Sequence, residues 1–310
     1  MRPLALATVL ASLAVALFGL VLIIGARADI VPVGFRTADM LPFVILQFAF
    51  TGVGFLLAWR RPENRVGWML CGTAIVSAAL FLNAGLTAQA ISTGDTLAVA
   101  TNAWLYSWCT VLLGATLGPA LATFPDGRAT SRAARVALTL LFTTIVLSIL
   151  ATALRPGPLT GLSSIENPYA WNDHGGALDL IFAVGLAAGL GATAFGVWSQ
   201  IARFRRSSGV ERQQLKLFLA SALVMSFLLI PSVALTYGAA FAPDASVQRY
   251  AGRVVGALAS TALPIAIGVA ILRYRLYDID VLIRRTLVYA SVSTILVATY
   301  IAAVVIVGAA

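Results

Sequence analysis

Few side chains in this chain have the type and spacing that chemistry requires. The single histidine, His174, follows Asn172 and Asp173 and precedes two glycines. A zinc site needs three or four ligands close together, and Asp173 and Asp179 would leave that set incomplete. We therefore expect His174 to be a solvated loop residue. The alternative is a place in a stimulus-sensing surface, because an imidazole can change its charge near neutral pH.

The two cysteines, Cys71 and Cys109, both fall in apolar stretches without a neighbouring cluster of His or Cys. We expect them to be packing residues and not a disulfide or a metal site. The sequence also shows no Ser/His/Asp set, no Gly-rich phosphate loop and no paired carboxylates inside an apolar stretch. It therefore predicts no catalytic, cofactor-binding or metal-binding residue in this chain.

Apolar stretches long enough to cross a membrane account for most of the chain. Hydrophobic residues make up 60% of it and charged residues 11%, whereas a soluble domain is nearer half apolar and a quarter charged. About twenty apolar residues cross the hydrocarbon as a helix, which satisfies its own backbone hydrogen bonds. We predict an all-α transmembrane helix bundle of about nine spans. They lie near residues 4 to 25, 41 to 59, 66 to 90, 99 to 124, 136 to 154, 177 to 200, 216 to 238, 251 to 272 and 286 to 308.

Basic residues concentrate in every second loop. With Arg2, these loops carry sixteen of the twenty-one basic residues, namely Arg60, Arg61, Arg65, Arg128, Arg132, Arg135, Arg203, Arg205, Arg206, Arg212, Lys216, Arg273, Arg275, Arg284 and Arg285. The positive-inside rule places the N-terminus and these loops in the cytoplasm. The net charge of +9 therefore reflects topology. We expect the partner to be the lipid bilayer of a plasma membrane and not nucleic acid.

Nine spans from a cytoplasmic start would end outside the cell. We therefore expect a tenth helix in the parent protein, because a cytoplasmic output domain would need one further crossing. The first helix, 4 to 25, is predicted to be an uncleaved signal anchor. Cleavage near Ala26-Arg27-Ala28 is the alternative, although the apolar stretch is longer than that of a typical signal peptide.

Polar groups inside the spans are the features that a transporter would need. The candidates are Asn83, Gln47 and Gln89, with Pro119, Pro231 and Pro264 as sites of kinks. Coupling ions require ligands near the bilayer midplane, yet the acidic residues lie in loops or at span ends. We expect Asn83 to hydrogen-bond to a neighbouring helix. We expect Trp104 and Trp108 to be interfacial anchors, with a stacked ligand as the alternative.

Five stretches have more specific amino-acid sequences than membrane topology alone requires. They are RRPENRVGW at 60 to 68, FPDGR at 124 to 128, ENPYAW at 166 to 171, VERQQLKLF at 210 to 218 and GVAILRYRLYDIDVLIRRTLVY at 268 to 289. In order and spacing they resemble the multi-helix N-terminal membrane region of actinobacterial sensor histidine kinases. The resemblance runs from about Leu41 onward.

The resemblance implies that residues 1 to 310 form the sensor, or input, region of a two-component signal-transduction protein. The family pattern places a further helix, an Arg-rich connector and an ATP-binding kinase core beyond these residues. Phosphorylation with ATP and Mg²⁺ would belong to that core, and a response regulator would be its partner. A phospho-accepting histidine lies in the cytoplasm, so His174, in an outer loop, is not that residue.

Two segments are predicted to carry the signal. The sensing loop lies between Arg155 and Gly176, and its candidate residues are Tyr169, Trp171, Asp173 and His174. The relay follows the eighth span and comprises Arg273, Arg275, Asp278, Asp280, Arg284 and Arg285. Each basic residue near an anionic surface gains roughly 1 kcal/mol, and the two carboxylates oppose part of that gain. Such a segment could switch between two membrane contacts as helices seven to nine shift.

Two further alternatives stay open at this stage. A small-molecule transporter or a stand-alone membrane receptor would have the same composition. Small residues at Gly185, Gly189 and Gly191 could pack helices within one chain or join two chains as a homodimer.

Overall fold

A computed structural model describes residues 2–27, 29–32, 34–129, 131–159, 162–171, 176–238 and 246–272. Eight helices occupy most of these residues. They are α1 (Arg2–Gly25), α2 (Thr37–Arg60), α3 (Arg65–Thr93), α4 (Thr96–Thr123), α5 (Arg132–Leu154), α6 (Ala177–Arg206), α7 (Gly209–Gly238) and α8 (Ser246–Leu272). Each is long and apolar enough to cross a membrane. The fold is therefore that of a multi-pass, helical membrane protein.

The first eight predicted spans are all helical, and several helices extend beyond their predicted bounds. The largest difference is in α7, which begins at Gly209 instead of 216. Its added turns include the polar residues Glu211 and Arg212. Polar and charged side chains allow a helix to extend from the hydrocarbon into the headgroup layer. The ninth predicted span, 286 to 308, lies outside the described residues.

A short antiparallel hairpin interrupts the all-α pattern between α5 and α6. Its strands are β1 (Pro158–Leu159) and β2 (Leu162–Glu166). Pro158 pairs with Glu166 and Leu159 pairs with Leu162. Both strands pack against α4. The sequence did not predict this hairpin, because two residues on one side of a turn give no readable alternation.

Side-chain caps set where three of the helices begin. Asn64 accepts a hydrogen bond from the backbone N–H of Val66 at the start of α3. Asp95 caps α4 and Ser131 caps α5 in the same way. Each cap pairs one of the backbone N–H groups that a helix leaves free in its first turn.

The helices fall into two units. The first consists of Met1–Met40 with Phe50–Arg205, and the second of Leu41–Ala49 with Arg206–Ala310. In the first unit α1 packs on α3, α3 on α4, and α4 on α5. In the second, α7 packs along α8, where the Ser232 hydroxyl donates to the carbonyl of Gly252 at 2.7 Å.

The glycines of α6 pack within the first unit. A Cβ at Gly185 would lie 3.1 Å from the Ser148 hydroxyl, and one at Gly189 would lie 3.0 Å from Thr144 Cγ2. Both neighbours belong to α5. The small-residue stripe thus brings two helices of one chain together, which is the first of the two roles expected from the sequence.

The two cysteines are buried and free. Cys71 packs with Ala5 and Ala58 against Phe55 and Trp68. This contact joins α1, α2 and α3. It supports the expected packing role for Cys71.

A glycine crossing holds α1 against α3. A Cβ built on Gly19 would overlap the backbone of Phe81, and one on Gly85 would overlap the carbonyl oxygen of Gly19. The Gln89 side chain also donates to the carbonyl of Leu22 at 2.9 Å. This close packing makes α1 an integral part of the first unit.

We predict that Gly85→Ala destabilises the protein by about 1–3 kcal/mol, because the added methyl group must push two helix backbones apart. Gly52→Ala in α2 is the matched control, since a Cβ there meets nothing within 4 Å. The control should be neutral or stabilising by about 0.5–1 kcal/mol, the usual gain of alanine over glycine in a helix. Unfolding free energies from SDS titration in mixed micelles, followed by circular dichroism, test this. Equal effects of the two substitutions would contradict the crossing.

Candidate functional site

The helix ends of the first unit gather at two opposite ends of that unit. At one end Arg2 lies over the Trp59 ring at 5.6 Å, and Asn64 donates to the carbonyl of Pro125 at 3.0 Å. We call this the basic end. At the other, the hairpin end, the backbone N–H of Arg27 donates to the Ser92 hydroxyl at 2.9 Å. The loops that the sequence assigns to the same side of the membrane therefore lie at the same end of this unit.

Asn167 organises the hairpin end. Its side-chain amide donates to the carbonyls of Ala153 and Arg155 at 3.0 and 2.9 Å. Its side-chain oxygen accepts from the backbone N–H of Tyr169 at 3.0 Å, and its own N–H donates to Gly157 at 2.9 Å. All hydrogen-bonding groups of this buried side chain are thus used to fix the loop on the end of α5.

Aromatic rings attach the same loop to α4. The Trp104 indole N–H donates to the carbonyl of Ala153 at 2.9 Å. The Trp104 ring lies 4.7 Å from the ring of Tyr169 and 5.6 Å from that of Trp108. Trp104 therefore holds the loop against α4. The buried indole N–H of Trp108 has no acceptor among the described residues.

An ion pair continues the clamp to α6. Arg155 lies 3.6 Å from Asp179, and its guanidinium stands over the Phe182 ring at 5.3 Å. Both charged side chains are substantially exposed, so the pair itself adds at most about 1 kcal/mol. The loop between α5 and α6 is nevertheless tied to three helices at once: α4, α5 and α6.

Two of the four predicted sensing residues are described. Trp171 is 67% exposed and Tyr169 is 48% exposed, while the backbone N–H of Trp171 donates to the carbonyl of Leu154 at 2.8 Å. The backbone at these positions is fixed while the rings stay accessible. Asp173 and His174 lie outside the described residues. Asn167 was not predicted, although Asn-Pro at 167 and 168 is a turn signal that could have revealed it.

The basic end joins two of the sequence motifs. Asn64, from the first motif, reaches Pro125, in the second. Arg203 of α6 then pairs with Asp126 at 2.7 Å and donates to the carbonyl of Phe124 at 3.1 Å. Phe124 is fully buried. The two motifs and the end of α6 thus form one packed turn cluster.

Amide side chains cap the C-terminal ends of four helices from neighbouring elements. Gln89 donates to Leu22 in α1, Gln200 to Leu121 and Ala122 in α4, Asn167 to Ala153 in α5, and Gln214 to Ala270 in α8. The last four carbonyls of a helix have no partner within it. Each cap therefore pairs a carbonyl at a helix end, and in doing so joins two elements.

Two of the three polar residues considered for transport, Gln89 and Asn83, make structural hydrogen bonds. Gln89 caps α1. Asn83 donates to the carbonyl of Ala79 at 2.9 Å, one turn earlier in the same helix, which corrects the expected bond to a neighbouring helix. Pro119, Pro231 and Pro264 all lie inside helices. Among the described residues no three His, Cys, Asp or Glu side chains gather as a metal site would need.

The six relay residues, Arg273, Arg275, Asp278, Asp280, Arg284 and Arg285, lie outside the described residues. The described chain reaches Leu272, two residues after the carbonyl that Gln214 caps. Gln214 therefore holds the start of α7 beside the last described turn of α8. Comparisons of this chain with protein-family models, curated proteins and solved structures give no match.

We predict that Asn167→Ala destabilises the hairpin end by about 1–3 kcal/mol, because the carbonyl of Arg155 loses the donor that the buried Asn167 side chain supplies. Near-ultraviolet circular dichroism should also weaken as the Trp104 and Tyr169 rings gain freedom. Asn102→Ala on α4, at the same end of this unit, is the control and should leave both the signal and the melting temperature unchanged. A matching loss in both variants would argue against the role of Asn167.

We predict a similar contrast between two adjacent glutamines. Gln214→Ala removes the donor to Ala270 and should lower the free energy of unfolding by about 0.5–1.5 kcal/mol. Gln213 is exposed, so Gln213→Ala should have no measurable effect. Heat-induced unfolding in detergent gives the comparison, and an unaffected Gln214→Ala protein would rule out the cap.

Proposed function

We propose that this chain is the membrane-embedded input region of a bacterial signal-transduction protein of the sensor histidine kinase type. The proposal rests on how the loop between α5 and α6 is held. Its contacts fix it to three helices, yet the side chains of Tyr169 and Trp171 remain accessible. A contact made on these rings would act on the ends of several helices, which is what a sensor of an envelope or membrane stimulus requires.

The proposed orientation puts the basic end in the cytoplasm and the hairpin end outside. The charge bias supports this, because arginines of interhelical turns stay on the cytoplasmic side of a plasma membrane. The relay after α8 would then also be cytoplasmic and would lead towards the kinase core that the resemblance implies. Phosphoryl transfer from ATP would belong to that core, and the response regulator would bind there.

The gene itself gives the first test. A reading frame that continues past codon 310 into another apolar helix, an Arg-rich connector and an ATP-binding domain would support the proposal. A stop codon at that point would favour a stand-alone receptor or a transporter. Solute uptake by proteoliposomes that contain only this chain would separate those two.

A substitution tests the relay in the full gene product. We predict that Asp278→Asn with Asp280→Asn shifts basal autophosphorylation by at least fivefold, because each charge near the surface is worth roughly 1 kcal/mol. Phosphate incorporation from labelled ATP in membrane vesicles measures this shift. Asp29→Asn is the control, since Asp29 is exposed and pairs only weakly with Arg27, at 3.4 Å. Unchanged output in the double variant would leave the segment as a simple connector.

A further inference from the structure

The basic end of the first unit carries far more positive charge than its own carboxylates can balance. It has nine arginines against two carboxylates, a net charge of +7. The arginines are Arg2, Arg60, Arg61, Arg65, Arg128, Arg132, Arg135, Arg203 and Arg205, and the carboxylates are Glu63 and Asp126. This surplus must be balanced by anions from outside the unit.

The hairpin end has the opposite balance. Its described residues include three arginines and five carboxylates, a net charge of −2. They are Arg27, Arg36 and Arg155 against Asp29, Asp39, Asp95, Glu166 and Asp179. The two ends of one unit therefore differ by nine charges, so an anionic surface would distinguish them strongly.

Both carboxylates of the basic end are already engaged. Asp126 pairs with Arg203 at 2.7 Å and Glu63 with Arg61 at 3.9 Å. Neither is free to neutralise the arginines beside it. The side chains of Arg65, Arg128 and Arg132 are exposed.

All three arginines belong to the turn cluster or border it. Gly127 has a φ of 72°, and a Cβ there would lie 2.5 Å from the Cβ of Arg65. Gly127 therefore packs against Arg65, and Arg128 is the next residue in the chain. Arg132 follows the Ser131 cap, whose hydroxyl lies 3.3 Å from that of Ser199 on α6. Guanidinium groups placed together can bind phosphate oxygens through paired hydrogen bonds.

We infer that Arg65, Arg128 and Arg132 form a binding site for the phosphate headgroup of an anionic phospholipid. The site lies where the helices leave the hydrocarbon, which is the level of the headgroups in a bilayer. The acyl chains of the bound phospholipid would continue along the apolar helix surfaces. This inference concerns the basic end whichever side of the membrane it faces, so it does not depend on the proposed function.

The test uses the whole protein in neutral detergent, titrated with phosphatidylglycerol or phosphatidylcholine, with bound lipid counted by native mass spectrometry. The wild-type protein should bind phosphatidylglycerol in preference to phosphatidylcholine. Arg128→Gln with Arg132→Gln should weaken phosphatidylglycerol binding at least tenfold, since each basic residue contributes about a fivefold factor. The control, Arg27→Gln with Arg36→Gln, removes the same charge at the hairpin end and should retain binding.

Three results would overturn the site: equal binding of the two lipids, unchanged binding in the Arg128/Arg132 variant, or an equal loss in the control. Displacement of the lipid by millimolar inorganic phosphate would assign the site to a free anion instead. If the variant fails to fold, raising NaCl from about 50 mM to about 500 mM on the wild-type protein serves in its place. Binding that does not fall with salt would then reject the inference.

Discussion

Carbonyl groups at helix ends are the constraint on which the described structure depends. A helix leaves its last four carbonyls unpaired, and near an apolar phase water cannot reliably satisfy them. Here four helices solve this with carboxamide donors from other elements, at Gln89, Gln200, Asn167 and Gln214. Because each donor comes from a different element, satisfying the backbone also fixes how the elements pack.

The same constraint explains why side chains hydrogen-bond to backbone carbonyls at each end of the first unit. At the hairpin end, Asn167 and Trp104 share the carbonyl of Ala153, so the loop is held by the helix that it caps. At the basic end, Gln200 and Arg203 cover the last turn of α4 and the turn after it. Between the two ends, small residues let α1 and α3 approach closely, as the contact between Gly19 and Gly85 shows.

Some details of the candidate site could be predicted from local sequence and others could not. The Asn64 cap of α3 is of the first kind, because a cap involves residues two or three apart. The role of Asn167 joins positions 12 and 14 residues apart, and that of Gln200 joins positions 78 and 79 apart. Asn83 was assigned to the wrong partner, since nothing in the sequence distinguishes a bond within a helix from one between helices.

The sequence by itself determined the membrane class, eight of the spans and the alternation of charge, because apolar length and loop charge are read from consecutive residues. Only the tertiary structure decided that the glycines of α6 face α5 and that the two turn motifs meet at Asn64 and Pro125. It also decided which carbonyls the amides cap. The physical reason is that these contacts join residues distant in the chain, and helices of equal hydropathy can pack in many orders until specific shapes and hydrogen bonds select one.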